Sequence, residues 1–461
     1  MKRFFTIVWL VCLAVVSMAQ AKYVFYFIGD GMGPNQVLTA EMYQAALQGV
    51  NGRIPLLMTQ FPYSGQAATF SASDGITDSA AAGTCLASGK KTNNGMIGQT
   101  PDGTPAISVA SMLKDEGWGI GIMSTVPVDH ATPASHYAHA EKRSEYYKIG
   151  THLIQSDFHF FGGGGFQSPL DKHNADAPNL YDVAQQAGYT LVGSYADAKA
   201  NIQAGKLLLV PQSNLDNPNQ GAGALPYAID QTEADLSLAK IVDVAIEHLS
   251  KHDRFFMMAE GGKIDYSGHG NDAATNIREV MDFDRAIQLA YKFYEQHPDE
   301  TLIVVTADHE TGGLALGNGQ GFQLATLQYQ QCSSDVLNDR LSALHKEHGA
   351  ALKWEQVKNL LSEYTGLYNQ VEVTSEEDQA LQEAFQNMMS HQSSLKTLYK
   401  DLNALAAKAL SMLSQKAGLG WTTHSHTAAA VPVFAIGVGA EQFTGWMDNS
   451  DIAPRIYQAT R

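Results

Sequence analysis

The chain has 461 residues, with 30 Lys and Arg against 47 Asp and Glu, a formal net charge of -17 at pH 7. A chain this acidic is a poor match for nucleic acid as a primary partner, and an anionic ligand would need local positive charge of the kind that bound metal ions supply. With 44% hydrophobic and 17% charged residues, the composition excludes fibrous and disordered classes and fits a globular protein.

At the amino terminus, Lys2 and Arg3 precede an apolar run over residues 4–16 and the small-residue pattern Ala19-Gln20-Ala21. This pattern reads as a secretory signal peptide over residues 1–21, cut before Lys22, and implies a periplasmic or secreted protein. The run is short for a bilayer span and no other segment reads as one. Cys12 follows Val11 rather than the small residue that lipid modification needs, so a lipoprotein is not expected. Loss of the signal leaves Cys85 and Cys332. Cys85 lies in an apolar stretch and reads as a buried thiol, with a pairing to Cys332 left open.

Further along, short apolar runs each end in a turn rich in polar groups. Residues 23–28 lead to Gly29-Asp30-Gly31-Met32-Gly33, and residues 118–125 lead to His130-Ala131-Thr132-Pro133. Residues 255–259 lead to Glu260, Asp265 and His269, and residues 302–306 lead to Asp308-His309. Such runs, alternating with helical patterns, indicate an α/β chain with a mostly parallel, covered sheet. Ligands bind such sheets outside the carboxyl ends of the strands, so these polar clusters should converge.

The segment from Thr77 to Gly89 reads as a short uncharged helix, with Asp78 near its N-cap and Gly89 at its stop. Ser79 then sits in the first turn, where unpaired N–H groups favour an anion, and the neighbouring alanines would leave room for substrate. Read alone, the segment is equally a buried helix with a capping serine. Asp30 between glycines suits a divalent cation better than a pyrophosphate, which its charge would repel. The mixed set of carboxylates and imidazoles at Glu260, Asp265, His269, Asp308 and His309 suits zinc, whereas oxygen alone suits magnesium. Spacing does not decide whether His424 or His426 completes such a site. Thr132 and Pro133 read as the cap and first residue of a helix that carries His136, His139 and Arg143 on one face. Arg143 is a candidate for bidentate phosphate binding, with a surface ion pair as the plain alternative.

From about residue 322 to 418 the texture is helical, without strand-like runs. Trp354, Val357, Leu360, Leu361 and Tyr364 form one apolar stripe, and Leu395, Leu398, Leu402, Leu405, Ala409 and Met412 another. These stripes fit a dimer or partner surface and a cap on the chain's own domain equally. Residues 431–436 return to strand-like sequence, so the helical segment reads as an insertion.

Taken in order, Asp30 in its glycine turn, Thr77-Asp78-Ser79-Ala80, His130-Ala131-Thr132-Pro133 with Arg143, Glu260 to Asp265 with His269, Thr306-Ala307-Asp308-His309 and His426-Thr427 resemble the alkaline phosphatase family. The resemblance covers most of the chain outside the helical insertion. It implies a three-layer α/β/α fold for residues 22–461, and hydrolysis of small phosphate monoesters through a phosphoserine at Ser79. It assigns Asp265, His269 and His426 to one zinc, and Asp30, Asp308 and His309 to a second beside Ser79. Asp30, Thr132 and Glu260 would hold a third ion, commonly magnesium, and Arg143 would grip the phosphate. His426 rather than His424 matches the family pattern, and His424 has no assigned role.

Two positions depart from the commonest patterns. His130 brings a nitrogen near the third ion and could bias it toward zinc, while Tyr266 offers a hydroxyl rather than a fixed charge. Sister activities on the same fold, such as a phosphodiesterase, are the nearest rivals. A sulfatase would need a Cys/Ser-x-Pro-x-Arg motif, which does not surround Ser79. A non-enzymatic periplasmic metal- or phosphate-binding protein would use the same donors but gives Ser79 no task.

Overall fold

A computed structural model describes residues 20–319, 321–390, 394–396 and 401–461, with the backbone alone at 394–396 and 401–402. The expected signal peptide therefore lies almost wholly outside the described residues, as does Leu398. Among the described residues no helix is long and apolar enough to cross a membrane.

In chain order the main sheet takes up β1 (Tyr23–Ile28), β2 (Tyr63–Ala68), β3 (Gly119–Ser124), β4 (Phe160–Gly162), β5 (Tyr189–Val192), β6 (Lys206–Leu209), β7 (Phe255–Glu260) and β8 (Thr301–Thr306). The small strands β9 (Glu310–Thr311), β10 (Leu314–Leu316), β11 (Ser394–Lys396), β12 (Asp401–Asn403), β13 (Leu419–Trp421) and β14 (His426–Thr427) follow. Finally β15 (Val431–Gly437) and β16 (Gly445–Asp448) return to the main sheet. That sheet has ten strands in the order β16-β2-β15-β8-β1-β7-β3-β4-β6-β5. Its pairings are parallel except those of β15, which runs antiparallel to β2 and β8.

The central strands are near-continuous apolar runs because they are covered on both faces. Helices Leu238–Leu249 and Ala273–Gln296 pack on each other, and between them reach β3, β7 and β8. Helices Ser79–Ser88, Val109–Asp115 and Ile452–Ala459 pack together, and Val109–Asp115 reaches β3 and β7. The result is the expected three-layer α/β/α arrangement.

Register then fixes where the polar turns emerge. Ile28 lies opposite both Glu260 and Thr306, and Ser124 lies opposite Glu260, so β1, β3, β7 and β8 end level. The turns that follow them carry Asp30, His130, Asp265 and Asp308 to one edge, as parallel sheets direct their ligands.

Two sequence expectations fail here. The segment after His130 does not build one helix through Arg143: helix Ala131–Ala134 is a single turn, and its N-cap is His130 rather than Thr132. The chain is drawn out of helix by pairing, because Ala140 and Ile97 exchange backbone hydrogen bonds and Arg143 N donates to Gly95 O. His136, His139 and Arg143 therefore share no helical face. Second, the helical segment does contain strands. β11 and β12 pair antiparallel, and the helix expected to run through Leu395 begins only at Ala404. The helix Trp354–Thr365 does form, with Val357 and Leu361 fully buried. Cys85 and Cys332 are both buried and unpaired, and the Cys85 thiol instead donates to Asn449 Oδ1 at 3.0 Å.

Phe27 tests the packing beneath the site. It is fully buried and meets Phe283 edge to face, with centroids 5.9 Å apart. Truncation to alanine in such a core costs about 3–5 kcal/mol. Phe27→Ala is therefore expected to lower the urea midpoint clearly, and a wild-type midpoint would contradict the packing described.

Candidate active site

Ser79 opens the helix Ser79–Ser88, and Asp78 caps it by accepting from Ala81 N at 2.9 Å. Gly89 ends the helix in the left-handed region, with φ of 73°. The alanines of this helix are buried, so they serve close packing rather than space for substrate. A Cβ on Gly83 would lie 2.8 Å from Ser135 Oγ and 3.2 Å from Thr132 Cα. Small residues thus let the Ser79 helix press against the turn that carries His130 and Thr132.

Around Ser79 the carboxylates and imidazoles converge in groups. Ligand atoms of Asp265, His269 and His426 lie within 4.8 Å of one another, as do those of Asp30, Asp308 and His309, and those of Asp30, His130 and Glu260. In the first group, His269 Nε2 is 3.4 Å from Asp265 Oδ1, and His426 Nε2 is 3.6 Å from the same oxygen. In the second, His309 Nε2 is 3.2 Å from Asp308 Oδ2 and 3.5 Å from Asp30 Oδ1. Ser79 Oγ stands 3.2 Å from the same His309 nitrogen. The third group brings in His130 beside Asp30 and Glu260, and Thr132, two residues beyond His130, is fully buried.

The electrostatics of this cluster call for cations. Asp30, Glu260, Asp265 and Asp308 are all fully buried. Both carboxylate oxygens of Asp30, Oε1 of Glu260, Oδ2 of Asp308 and the Thr132 hydroxyl find no hydrogen-bond partner among the described residues. Burial, followed by the charges of Asp308, Asp265 and Glu260, pushes the Asp30 carboxyl well above its ordinary range. Burial raises Glu260 to about 7 and Asp308 well up. Burial also works to raise Asp265, but His269, His426 and His309 together outweigh it and carry its pKa well down. Buried like charges without partners are strongly unfavourable. Divalent cations held by these oxygens and ring nitrogens would resolve the conflict, and the mixed donors of the first two groups suit zinc. The residues thus fit the ions that the sequence implies.

The other ring nitrogens are fixed from behind, as metal-binding imidazoles commonly are. His269 Nδ1 donates to His424 O at 2.6 Å, and His426 Nδ1 donates to Thr77 O at 2.9 Å. Thr311 hydrogen-bonds Asp265 Oδ1 and lies 3.3 Å from His309 Nδ1. His424 thus acts through its backbone, and its own ring bonds His269 O at 2.9 Å. Sequence reading missed Thr311, Ser124 (which hydrogen-bonds Glu260) and Glu310. Thr311 was the one within reach of pattern, two residues beyond His309 on a short strand.

A cavity of about 1000 Å³ opens over the cluster, lined among others by Asp78, His130, Arg143, Tyr266, His269 and His426. Arg143 Nη1 donates to Asp78 Oδ2 at 3.1 Å and Nη2 contacts His130 Nε2 at 3.2 Å. Burial, then Arg143, lowers the His130 pKa to about 3 and keeps that ring neutral. Tyr266 packs edge to face on His130, with centroids 6.1 Å apart. His136 and His139 are spent elsewhere, on Thr132 O and Gly98 O.

Asp30→Asn separates the charge conflict from the fold. With a chelator present, the variant is expected to melt above the equally chelated wild type, since the cost of burying an ionisable carboxyl among other carboxylates is gone. With zinc restored, the order should reverse, because ligand binding stabilises the wild type more. A thermal shift assay reads both, and a chelated wild type more stable than the variant would refute the repulsion argument.

Comparisons with known proteins identify the family. The alkaline phosphatase family profile matches residues 21–461. The repressible alkaline phosphatase of Saccharomyces cerevisiae is 32% identical over 457 residues, covering 90% of this chain and 75% of that protein. Alkaline phosphatase 4 of Bacillus subtilis is 31% identical over 460 residues, covering 95% and 89%. Among solved structures, the cold-active alkaline phosphatase from a psychrophilic Shewanella superposes with a TM-score of 0.79 at 28% identity, covering 95% of this chain and 99% of that one. The alkaline phosphatase of Thermus thermophilus gives 0.78 at 25% identity, covering 96% and 92%. This chain belongs to the alkaline phosphatase family.

Proposed function

We propose that this chain hydrolyses phosphate monoesters, the activity of its family, with Ser79 as nucleophile and a phosphoserine intermediate. One observation carries the reading. Ser79 Oγ, in the first turn of its helix, lies 3.2 Å from His309 Nε2, while the adjacent Asp78 holds Arg143 at 3.1 Å. A nucleophile is thereby set between a cation-demanding cluster and a planar guanidinium.

Asp265, His269 and His426 would hold one zinc, Asp30, Asp308 and His309 a second, and Asp30, Glu260 and Thr132, with His130 adjacent, a third ion. When bound, such ions supply Lewis acidity for the attacking and leaving oxygens of an in-line displacement. Ser79 Oγ gives up its hydroxyl proton and attacks phosphorus; the bond from phosphorus to the leaving oxygen breaks, and that oxygen takes up a proton and departs as the alcohol. The helix N-terminus favours the charge that builds on the serine oxygen and the phosphoryl group. Arg143 binds two non-bridging oxygens in its fork, and Asp78 keeps that fork aimed. Water then attacks the phosphoserine, the bond to Oγ breaks, and inorganic phosphate leaves.

The monoester reading is favoured over a diesterase by Arg143 and by the third group. A diester has one fewer charged oxygen for either to engage. We further propose that the segment 322–418 caps the catalytic domain of residues 22–461. Ser334 and Asp335 from that segment line the cavity, and Ser334 N donates to Asp272 Oδ2 at 2.7 Å. Export by a signal over residues 1–21 rests on the amino-terminal sequence alone.

The mature protein should cleave an aryl phosphate monoester far faster than the matching diester. Activity should vanish on chelation and return with zinc. Diester preference, or indifference to chelation, would overturn the reading. Ser79→Ala should abolish phosphoenzyme trapping and lower kcat by several orders of magnitude. Arg143→Ala should lower kcat/KM by roughly 100- to 1000-fold, as loss of one transition-state donor does.

A further inference from the structure

We propose that Glu310 is the positioning residue that delivers His426 to Asp265 and His269; the inference rests on reading those three as a metal-binding group. His426 stands 157 residues along the chain from His269, so no local structure places it. Its ring is oriented by donation from Nδ1 to Thr77 O, but a ring bond does not fix the backbone that bears it. The backbone arrives on β14, whose pairing with β9 spans two residues: His426 opposite Thr311 and Thr427 opposite Glu310.

Glu310 reinforces that short pairing with its side chain. The Thr427 hydroxyl donates to Oε2, which also accepts from Gly313 N at 3.2 Å. Oε1 accepts from Gln36 Nε2 at 2.6 Å and from Leu314 N at 3.3 Å. Gln36 belongs to helix Pro34–Leu47, which begins directly after the Asp30 turn. That turn closes onto the same side chain, since a Cβ on Gly33 would lie 2.3 Å from Glu310 Cγ. The segments bearing Asp30, His309 and His426 therefore meet at one carboxylate that is 4% exposed.

The donor pattern makes the residue type specific. All four partners donate, and a carboxylate is acceptor-only with room for about four such bonds. A glutamine would turn an amide N–H toward partners that offer N–H groups, leaving buried donors unmet. The partners of the other two ligands, Thr311 on Asp265 and His424 O on His269, sit on the same two segments that Glu310 ties together. Loss of Glu310 should therefore show first at His426, whose neighbour Thr427 it binds directly. Outer partners of metal ligands typically change metal affinity by about 10- to 100-fold.

The test uses metal affinity rather than turnover. Chelated protein is titrated with zinc by calorimetry, and His426→Ala identifies which binding step belongs to its group. Glu310→Ala, Glu310→Gln and Thr427→Val should each weaken that step by about 10- to 100-fold. Thr427→Ser, which keeps the hydroxyl, should retain wild-type affinity. If Glu310→Ala does not fold, Thr427→Val against Thr427→Ser still decides the outcome. Wild-type isotherms for Glu310→Gln and Thr427→Val would overturn the role of Glu310 alone. Failure of the wild type to bind zinc would overturn the metal reading and this inference with it.

Discussion

Four carboxylates buried together are the constraint from which the rest of the structure follows. Asp30, Glu260, Asp265 and Asp308 are each fully enclosed. The imidazoles of His269, His309 and His426 lie against Asp30, Asp265 and Asp308. A lysine or arginine would neutralise the charge permanently; an imidazole leaves a lone pair available and lets a divalent ion do so. The protein's overall acidity is no obstacle to binding an anion, because its positive charge is local.

The fold answers this constraint with register. Parallel strands whose ends are level deliver their following turns to one edge, and β1, β3, β7 and β8 end level. The tolerances are tight. A Cβ on Gly31 would lie 2.8 Å from both Asp265 Cα and Thr311 Oγ1, and φ at that residue is 73°. Glycine there is required twice over, by backbone conformation and by the approach of a second ligand-bearing segment. The same logic governs the Ser79 helix, whose small residues let it settle against the His130 turn.

How far the sequence disclosed this depends on the range of the interactions involved. The apolar runs of β1, β7 and β8, the Asp78 cap and the Gly89 stop were legible because each is set within a few residues. Asp265 and His269, four apart on one short helix, were legible for the same reason. Arg143 does line the cavity over the cluster, yet not from the helix on which the sequence put it. A local pattern pointed to continued helix, and the backbone pairing of Ala140 with Ile97 prevailed. The choice between His424 and His426 was invisible to spacing, because it turns on which residue pairs with Thr311 across a two-residue ladder. Glu310 carries no motif at all, and its importance lies in partners from Gln36 to Thr427.

His130 ties Arg143 to the third group. A guanidinium can only donate, so in its 3.2 Å contact with Arg143 Nη2 the His130 Nε2 accepts. Burial and then Arg143 lower its pKa to about 3, so the ring is neutral. A ring nitrogen that accepts from Arg143 has no lone pair to give a cation while that contact stands. The oxygens of Asp30, Glu260 and Thr132 are then the donors of the third group, and an oxygen set favours a hard ion such as magnesium. On the reading of Arg143 as the phosphate-binding residue, bound phosphate would compete with His130 for the guanidinium. Release of Arg143 from His130 would then free a nitrogen beside Asp30 and Glu260, so the proposed phosphate site and the third group would be coupled through one ring.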